Sequence, residues 1–264
     1  MKYNRVLTIA GSDSGGGAGI QADIKTITAL KCYAASVITA VTAQNTLGVQ
    51  QICAIPAEMV STQIHSVLDD IGADVIKIGM LHSAEVIRAV ADTLGKYDKI
   101  PIVLDPVMVS TSRHKLIEDN AVKALCEILI PKAYVITPNL PEAEALLGRT
   151  IGDEDDVKRA ARELKDKFGV SVLLKGGHLD ETKNVNDILI DVRNDELVEL
   201  SGERVVTQNT HGTGCTLSSA IASFLAQGNG LMEACALAKK YITHALAEGA
   251  KYEIGEGHGP VKHF

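Results

Sequence analysis

The chain has 264 residues, 46% hydrophobic and 22% charged, which suits one large α/β domain with a substantial core. Its formal net charge of −7 argues against a surface built to coat nucleic acid or an anionic membrane, though a local pocket of amides and a lysine can still hold a nucleotide. The five cysteines (Cys32, Cys53, Cys126, Cys215 and Cys235) form no Cys-x-x-Cys pair, no apolar run is long enough to span a bilayer, and the first apolar run is too short for a signal peptide, so the expected setting is the reducing cytoplasm.

In chain order, residues 6–10 predict a buried strand ending at Gly11, and residues 19–30 a helix. Strand 36–41 and helix 56–70 follow, then strand 75–79 and helix 83–94. Strand 100–104 stops at Asp105-Pro106, a helix near 118–130 ends at Pro131, and strand 134–137 stops at Pro138. Strand 170–174 ends in Lys175-Gly176-Gly177. Continuous apolar runs of this kind belong to strands buried on both faces, so the alternation predicts a mostly parallel sheet between two helix layers. Residues 188–192 and 197–200 flank Arg193-Asn194-Asp195-Glu196 and predict an antiparallel hairpin at one edge. Two Ala-rich helices, 215–226 and 231–248, close the chain, and no linker divides it.

In open α/β sheets, ligands bind outside the carboxyl ends of the strands. Gly11-Ser12-Asp13, Thr42-Ala43-Gln44-Asn45, Gly79-Met80, Asp105-Pro106, Thr137-Pro138-Asn139 and Lys175-Gly176 all follow predicted strands, which points to one shared crevice. Thr210-His211-Gly212-Thr213-Gly214-Cys215 leads into an apolar helix. A helix start has open N–H groups and partial positive charge, and glycines let an anion approach them closely. The same field favours a thiolate at Cys215, so the segment suits a phosphoryl group meeting a base or nucleophile.

The Gly-rich run from Gly11 to Gly19 matches neither the G-x-G-x-x-G fingerprint nor a P-loop. It is expected to pack backbone against a flat ligand, with Asp23 in the next helix as a polar contact. Lys175, before two glycines, can reach phosphate oxygens as a point charge. Asp105 and Glu142 are carboxylates of the kind that hold Mg²⁺ beside phosphates, and Glu142 is also a favoured acid at a helix start opened by Pro141. The histidines show no metal-binding spacing, and His258 and His263 of the Gly-rich tail are not read as ligands. Asp153-Glu154-Asp155-Asp156 reads as a solvated helix start.

These residues, nearly end to end, resemble the hydroxymethylpyrimidine/phosphomethylpyrimidine kinases of thiamine biosynthesis, within the ribokinase-like superfamily. The matching segments include Ala10-Gly11-Ser12-Asp13, residues 15–23, Thr42 to Thr46, Lys77-Ile78-Gly79-Met80-Leu81, Asp105-Pro106-Val107-Met108, residues 136–143, Lys175-Gly176-Gly177-His178, Thr210 to Ser218 and residues 259–264. The resemblance implies a three-layer α/β/α fold and ATP-dependent phosphorylation of 4-amino-5-hydroxymethyl-2-methylpyrimidine and then of its monophosphate. It implies that Gln44 reads the aminopyrimidine edge, while Gly11, Asp23 and Met80 line the ring pocket. Lys175, Asn139 and the amides of Gly212, Thr213, Gly214 and Cys215 would hold phosphates, with Cys215 as base in the first step. Mg²⁺ at Asp105 and Glu142, and a homodimer, complete the expectation. The alternatives are a pyridoxal/pyridoxine kinase and a non-catalytic pyrimidine sensor on the same fold. A dehydrogenase is disfavoured by the missing fingerprint.

Overall fold

The computed structural model describes residues 2–108, 119–176 and 184–264. Among them, nine strands form one sheet: β1 (Arg5–Asp13), β2 (Tyr33–Asn45), β3 (Gly48–Ala54), β4 (Val75–Ile78), β5 (Ile102–Leu104), β6 (Val135–Ile136), β7 (Ser171–Leu174), β8 (Asn184–Ile190) and β9 (Leu197–Glu203). Their order is β3-β2-β1-β4-β5-β6-β7-β8-β9. β2, β1, β4, β5, β6 and β7 run parallel. β8 and β9 form the expected antiparallel hairpin beyond β7.

The other edge is antiparallel as well, which the sequence reading did not anticipate. Residues 42–45, expected as a loop, continue β2, and β3 returns against them. β3 is largely exposed, so it lacks the apolar run that marks a buried strand. The register of β1 on β2 slips between Ala10 and Ser12, at Gly11.

One helix layer comprises α1 (Gly19–Ala29), α7 (Thr213–Ala226) and α8 (Leu231–Gly249). The other comprises α2 (Ala57–Leu68), α3 (Ala84–Leu94), α4 (Asp119–Ala124), α5 (Leu140–Leu147) and α6 (Glu154–Phe168). Strand alternation divides the core between them: Val6, Val75, Val103, Val135 and Leu173 pack under α1, α7 and α8, while Leu7, Ile76, Leu104, Ile136 and Val172 pack under the other layer. Local signals agree. Ser83 caps α3 by accepting the Val86 N–H, and Asp153 caps α6 by accepting the Asp156 N–H. After α4 the chain passes through a π-helical turn, Leu125–Leu129, and a 3₁₀ turn, Ile130–Lys132. The expected helix start at Glu118, and Gly177 and His178, lie outside the described residues.

β7 and β8 meet closely at Gly176, where a Cβ would stand 1.9 Å from the Asn186 carbonyl oxygen. Gly176→Ala is therefore expected to lower stability by about 2 kcal/mol or more by forcing β8 outward. Urea unfolding checks this as a lower midpoint at an unchanged slope.

Candidate active site

The crevice is assembled around the start of α7. Gly212, its N-cap at φ +81°, lies so close to the Gly-rich loop that a Cβ would fall 1.8 Å from the Gly17 carbonyl oxygen. No side chain caps α7; the Thr213 N–H donates to the Thr210 carbonyl at 3.2 Å, while the N–H groups of Gly214 and Cys215 have no acceptor among the described residues. The Gly-rich loop itself is differently occupied. The Asp13 carboxylate accepts the N–H groups of Gly15 (2.8 Å), Gly17 (3.0 Å) and Ala18 (2.8 Å), and lies 2.8 Å from His211 Nε2. Burial works to raise the Asp13 pKa, but His211 and the Ala18 and Gly15 amides outweigh it and hold the carboxyl below its ordinary range. The loop shapes the crevice while Asp13 takes its amides.

Lys175 stands beside that helix start. A Cβ on Gly214 would lie 3.3 Å from Asp105 Oδ2 and 3.4 Å from Lys175 Nζ. Lys175 Nζ donates to Asp105 Oδ1 at 2.9 Å and lies 3.9 Å from Glu142 Oε2. Asn139 bridges Lys175 through the backbone and caps α5 in a capping box: its side chain accepts the Glu142 N–H at 2.9 Å, and Glu142 Oε2 accepts the Asn139 N–H at 2.8 Å. Burial pushes the Glu142 carboxyl up to about 7; Lys175 opposes the rise and Asp105 adds to it. Burial also works against the charge on Lys175, yet Asp105 and Glu142 outweigh it and hold the ammonium pKa above its ordinary value.

A third wall is apolar. Gly11 and Met80 touch, since a Cβ on Gly11 would come within 2.4 Å of Met80 Cε, and Met80 packs with Ala40, Val49, Ile52 and Val107. Gln44 borders this wall from β2. Its Oε1 accepts from Thr42 Oγ1 at 3.1 Å, and its Nε2 faces His211 Nε2 at 3.4 Å. A proton that His211 Nε2 donates to Asp13 leaves no lone pair there for Gln44, so the Gln44 amide keeps its hydrogens for a ligand.

Two expectations need correction. Asp23 is wholly buried, and its carboxylate is taken by Lys77 Nζ, Thr8 and Ser219, so it supports the crevice from beneath instead of lining it. Cys215 is half-buried in the first turn of α7, but its thiol is not acidic. Burial pushes it up to about 11, Lys77 opposes that rise, and Asp23 and Asp105 add to it, so the helix field does not prevail. Two residues escaped notice. His211 stands in the quoted motif, but its partner Asp13 is 198 positions away. Lys77 occupies an apolar strand, where its charge was the signal.

A helix start beside a lysine and two carboxylates, on a largely parallel sheet, matches the layout of a ribokinase-like phosphotransferase. The model for the family described as phosphomethylpyrimidine kinase matches residues 13–262, and the chain belongs to that family. The chain is 52% identical over 259 residues to the thiamine biosynthesis bifunctional protein ThiED of Geobacter sulfurreducens, covering 98% of this chain and 52% of that one. It is 50% identical over 259 residues to the hydroxymethylpyrimidine/phosphomethylpyrimidine kinase of Rhizobium meliloti, covering 98% and 96%. It thus spans about half the length of the first relative and nearly all of the second. Among solved structures, the ADP complex of Bacillus subtilis pyridoxal kinase matches with a TM-score of 0.90 at 35% identity, over 99% of this chain and 98% of that one.

The raised Glu142 carboxyl has a signed effect on stability. The unfolded carboxyl titrates near 4.5 and the folded one near 7, so the folded protein holds a proton that the unfolded chain has lost, and stability falls as pH rises through that window. Glu142→Gln removes this contribution. Denaturant midpoints at about pH 5 and about pH 8 are expected to differ less in the variant than in the wild type; an equal or larger difference rejects the assignment.

Proposed function

We propose that this chain transfers the terminal phosphoryl group of ATP to the hydroxymethyl group of 4-amino-5-hydroxymethyl-2-methylpyrimidine, and then a second phosphoryl group to that monophosphate, in thiamine biosynthesis. The observation that carries the reading is the placing of Lys175 and Asp105 against the first turn of α7, both within 3.4 Å of where a Cβ on Gly214 would stand. A developing phosphoryl charge set there meets backbone amides on one side and an ammonium on the other.

In the first step, the bond from the γ-phosphorus to its bridging oxygen breaks and the hydroxymethyl oxygen bonds to phosphorus. The hydroxyl proton passes to Cys215 Sγ in its thiolate form. Phosphoryl transfer proceeds largely by positioning and charge stabilisation, so the base is needed mainly as the new bond forms. The monophosphate is already an anion near neutral pH and needs no such base. Lys175, Asn139 and the amides of Gly212, Thr213 and Gly214 hold phosphate oxygens. Gln44 reads the aminopyrimidine edge, and Gly11 and Met80 take the ring face.

Asp105 and Glu142 suit Mg²⁺. This ion takes one or two carboxylates and completes its shell with water and phosphate oxygens. The fit rests on Glu142, which at about 7 keeps a proton that a cation can displace. Among the described residues no group of three or more His, Cys, Asp or Glu side chains could hold a metal ion. Bound there, Mg²⁺ would neutralise phosphate charge. We take the unit to be one cytoplasmic catalytic domain acting as a homodimer. Among the described residues, no helix is long and apolar enough to cross a membrane.

The likeness to pyridoxal kinase favours pyridoxal as a second substrate. A tenfold preference needs only about 1.4 kcal/mol, so a slower side activity fits the same site. Purified protein with ATP, Mg²⁺ and the free pyrimidine is expected to yield first the monophosphate and then the diphosphate by mass spectrometry, ahead of pyridoxal phosphate in a parallel reaction. Tight pyrimidine binding without turnover would point to a sensor instead. Cys215→Ala is expected to slow the first phosphorylation by about 10²-fold or more and the second far less. Equal losses in the two steps would reject the base assignment.

A further inference from the structure

The helix layer formed by α1, α7 and α8 buries two ion pairs against the sheet, Lys239–Asp187 between α8 and β8 and, by the start of α7, Lys77–Asp23. There Thr8 of β1 and Lys77 of β4 are register partners, and Asp23 and Ser219 meet them from α1 and α7. All four are 0% exposed. Lys77 Nζ lies 2.9 Å from both oxygens of Asp23. Asp23 also accepts from Thr8 Oγ1 at 2.6 Å and from Ser219 Oγ at 2.7 Å. A buried ion pair contributes little net stability compared with apolar side chains of the same shape, so stability does not account for this cluster.

Its position does. Residues four apart share one face of a helix. On α7 these are Cys215 and Ser219; on α1 they are Gly19 and Asp23. The Gly19 backbone acts on Cys215 in favour of its thiolate, and one turn further along the two helices Asp23 accepts from Ser219 Oγ at 2.7 Å. Cys215 therefore sits one turn above the ion pair. Lys77 Nζ lies at the carboxyl end of β4, where a Cβ on Gly79 would come within 2.9 Å of it.

We propose that the buried Lys77–Asp23 pair is the positioning unit for Cys215: Asp23 clamps the Lys77 ammonium and, through Ser219, the first turns of α7, so that a fixed positive charge lies beneath the sulfur when it loses its proton. Lys77 and Asp23 thereby act through the thiol and do not touch the pyrimidine. The charged groups acting on the sulfur or feeling its charge are Lys77 from β4, Asp23 from α1, Asp105 beyond β5 and Lys175 beyond β7. Of these, Lys77 favours the thiolate, and Asp23 and Asp105 oppose it. The inference rests on the reading of Cys215 as base, and it explains how a thiol lifted by burial retains any thiolate character.

The test uses free protein without ATP or metal. Iodoacetamide reacts with the thiolate, so the alkylation rate of the Cys215-bearing peptide, followed by mass spectrometry near neutral pH, reports thiolate content. Lys77→Met is expected to lower that rate about tenfold, whereas Asp23→Asn, which removes the opposing anion, raises it. The double variant replaces the pair by neutral side chains and falls between Lys77→Met and the wild type. Shifts of both single variants in the same direction, or no shift, overturn the proposal, because a purely structural role would move all variants alike. Should a single variant fail to fold, the double variant decides: a lowered rate supports the pair and an unchanged rate overturns it. In turnover, Lys77→Met slows the first phosphorylation more than the second. If the wild type phosphorylates no pyrimidine, the functional reading fails, while the alkylation rates still decide the role of Lys77.

Discussion

The Asp13 carboxylate is the constraint on which the crevice depends. It stands at the end of β1 and gathers the amides of Gly15, Gly17 and Ala18 together with His211. Those contacts bring the Gly-rich loop against the start of α7, where Gly212 admits the Gly17 carbonyl because it has no Cβ. His211 extends the clasp to the tail, since its N–H donates to the Gly259 carbonyl at 3.0 Å and its own carbonyl accepts from Val261 at 3.3 Å. A segment from each end of the chain is thus held at one point.

Charge is distributed around that point in two tiers. The upper tier is Lys175 with Asp105 and Glu142, partly open to the crevice. The lower tier is Lys77 with Asp23, closed to solvent. Each tier sets a cation against carboxylates in a region of low dielectric, where neither charge would persist alone. Cys215 lies between the tiers and feels both. Its half-buried position makes it a poor acid at rest, so any proton transfer at its sulfur depends on how the neighbouring charges are held. The helix start, which in isolation would favour a thiolate, is outweighed by burial.

The architecture was legible because β-strands buried on both faces must be largely apolar, and the central parallel strands are, with Thr8 and Lys77 as interruptions in β1 and β4. Most of the crevice was legible because polar and Gly-rich residues recur after those strands, at Gly11, Met80, Asp105, Asn139 and Lys175. The long motif from Thr210 to Ser218 and its companions pointed to the family on their own. β3 went unread because an exposed edge strand needs no apolar run. Asp23 was misplaced because helical periodicity shows that a residue faces inward, but not whether a ligand or a lysine waits there.

The sequence by itself determined the alternation of strands and helices, the end of the sheet where chemistry collects, and the family to which the chain belongs, since each is written in local pattern. Tertiary structure alone decided which charges meet. The Asp13–His211 contact and the Lys77–Asp23 pair join residues 198 and 54 positions apart, and no local pattern encodes such a pairing. It decided also that Cys215 is a neutral thiol at rest, because desolvation is a property of everything packed around a group and not of its neighbours along the chain.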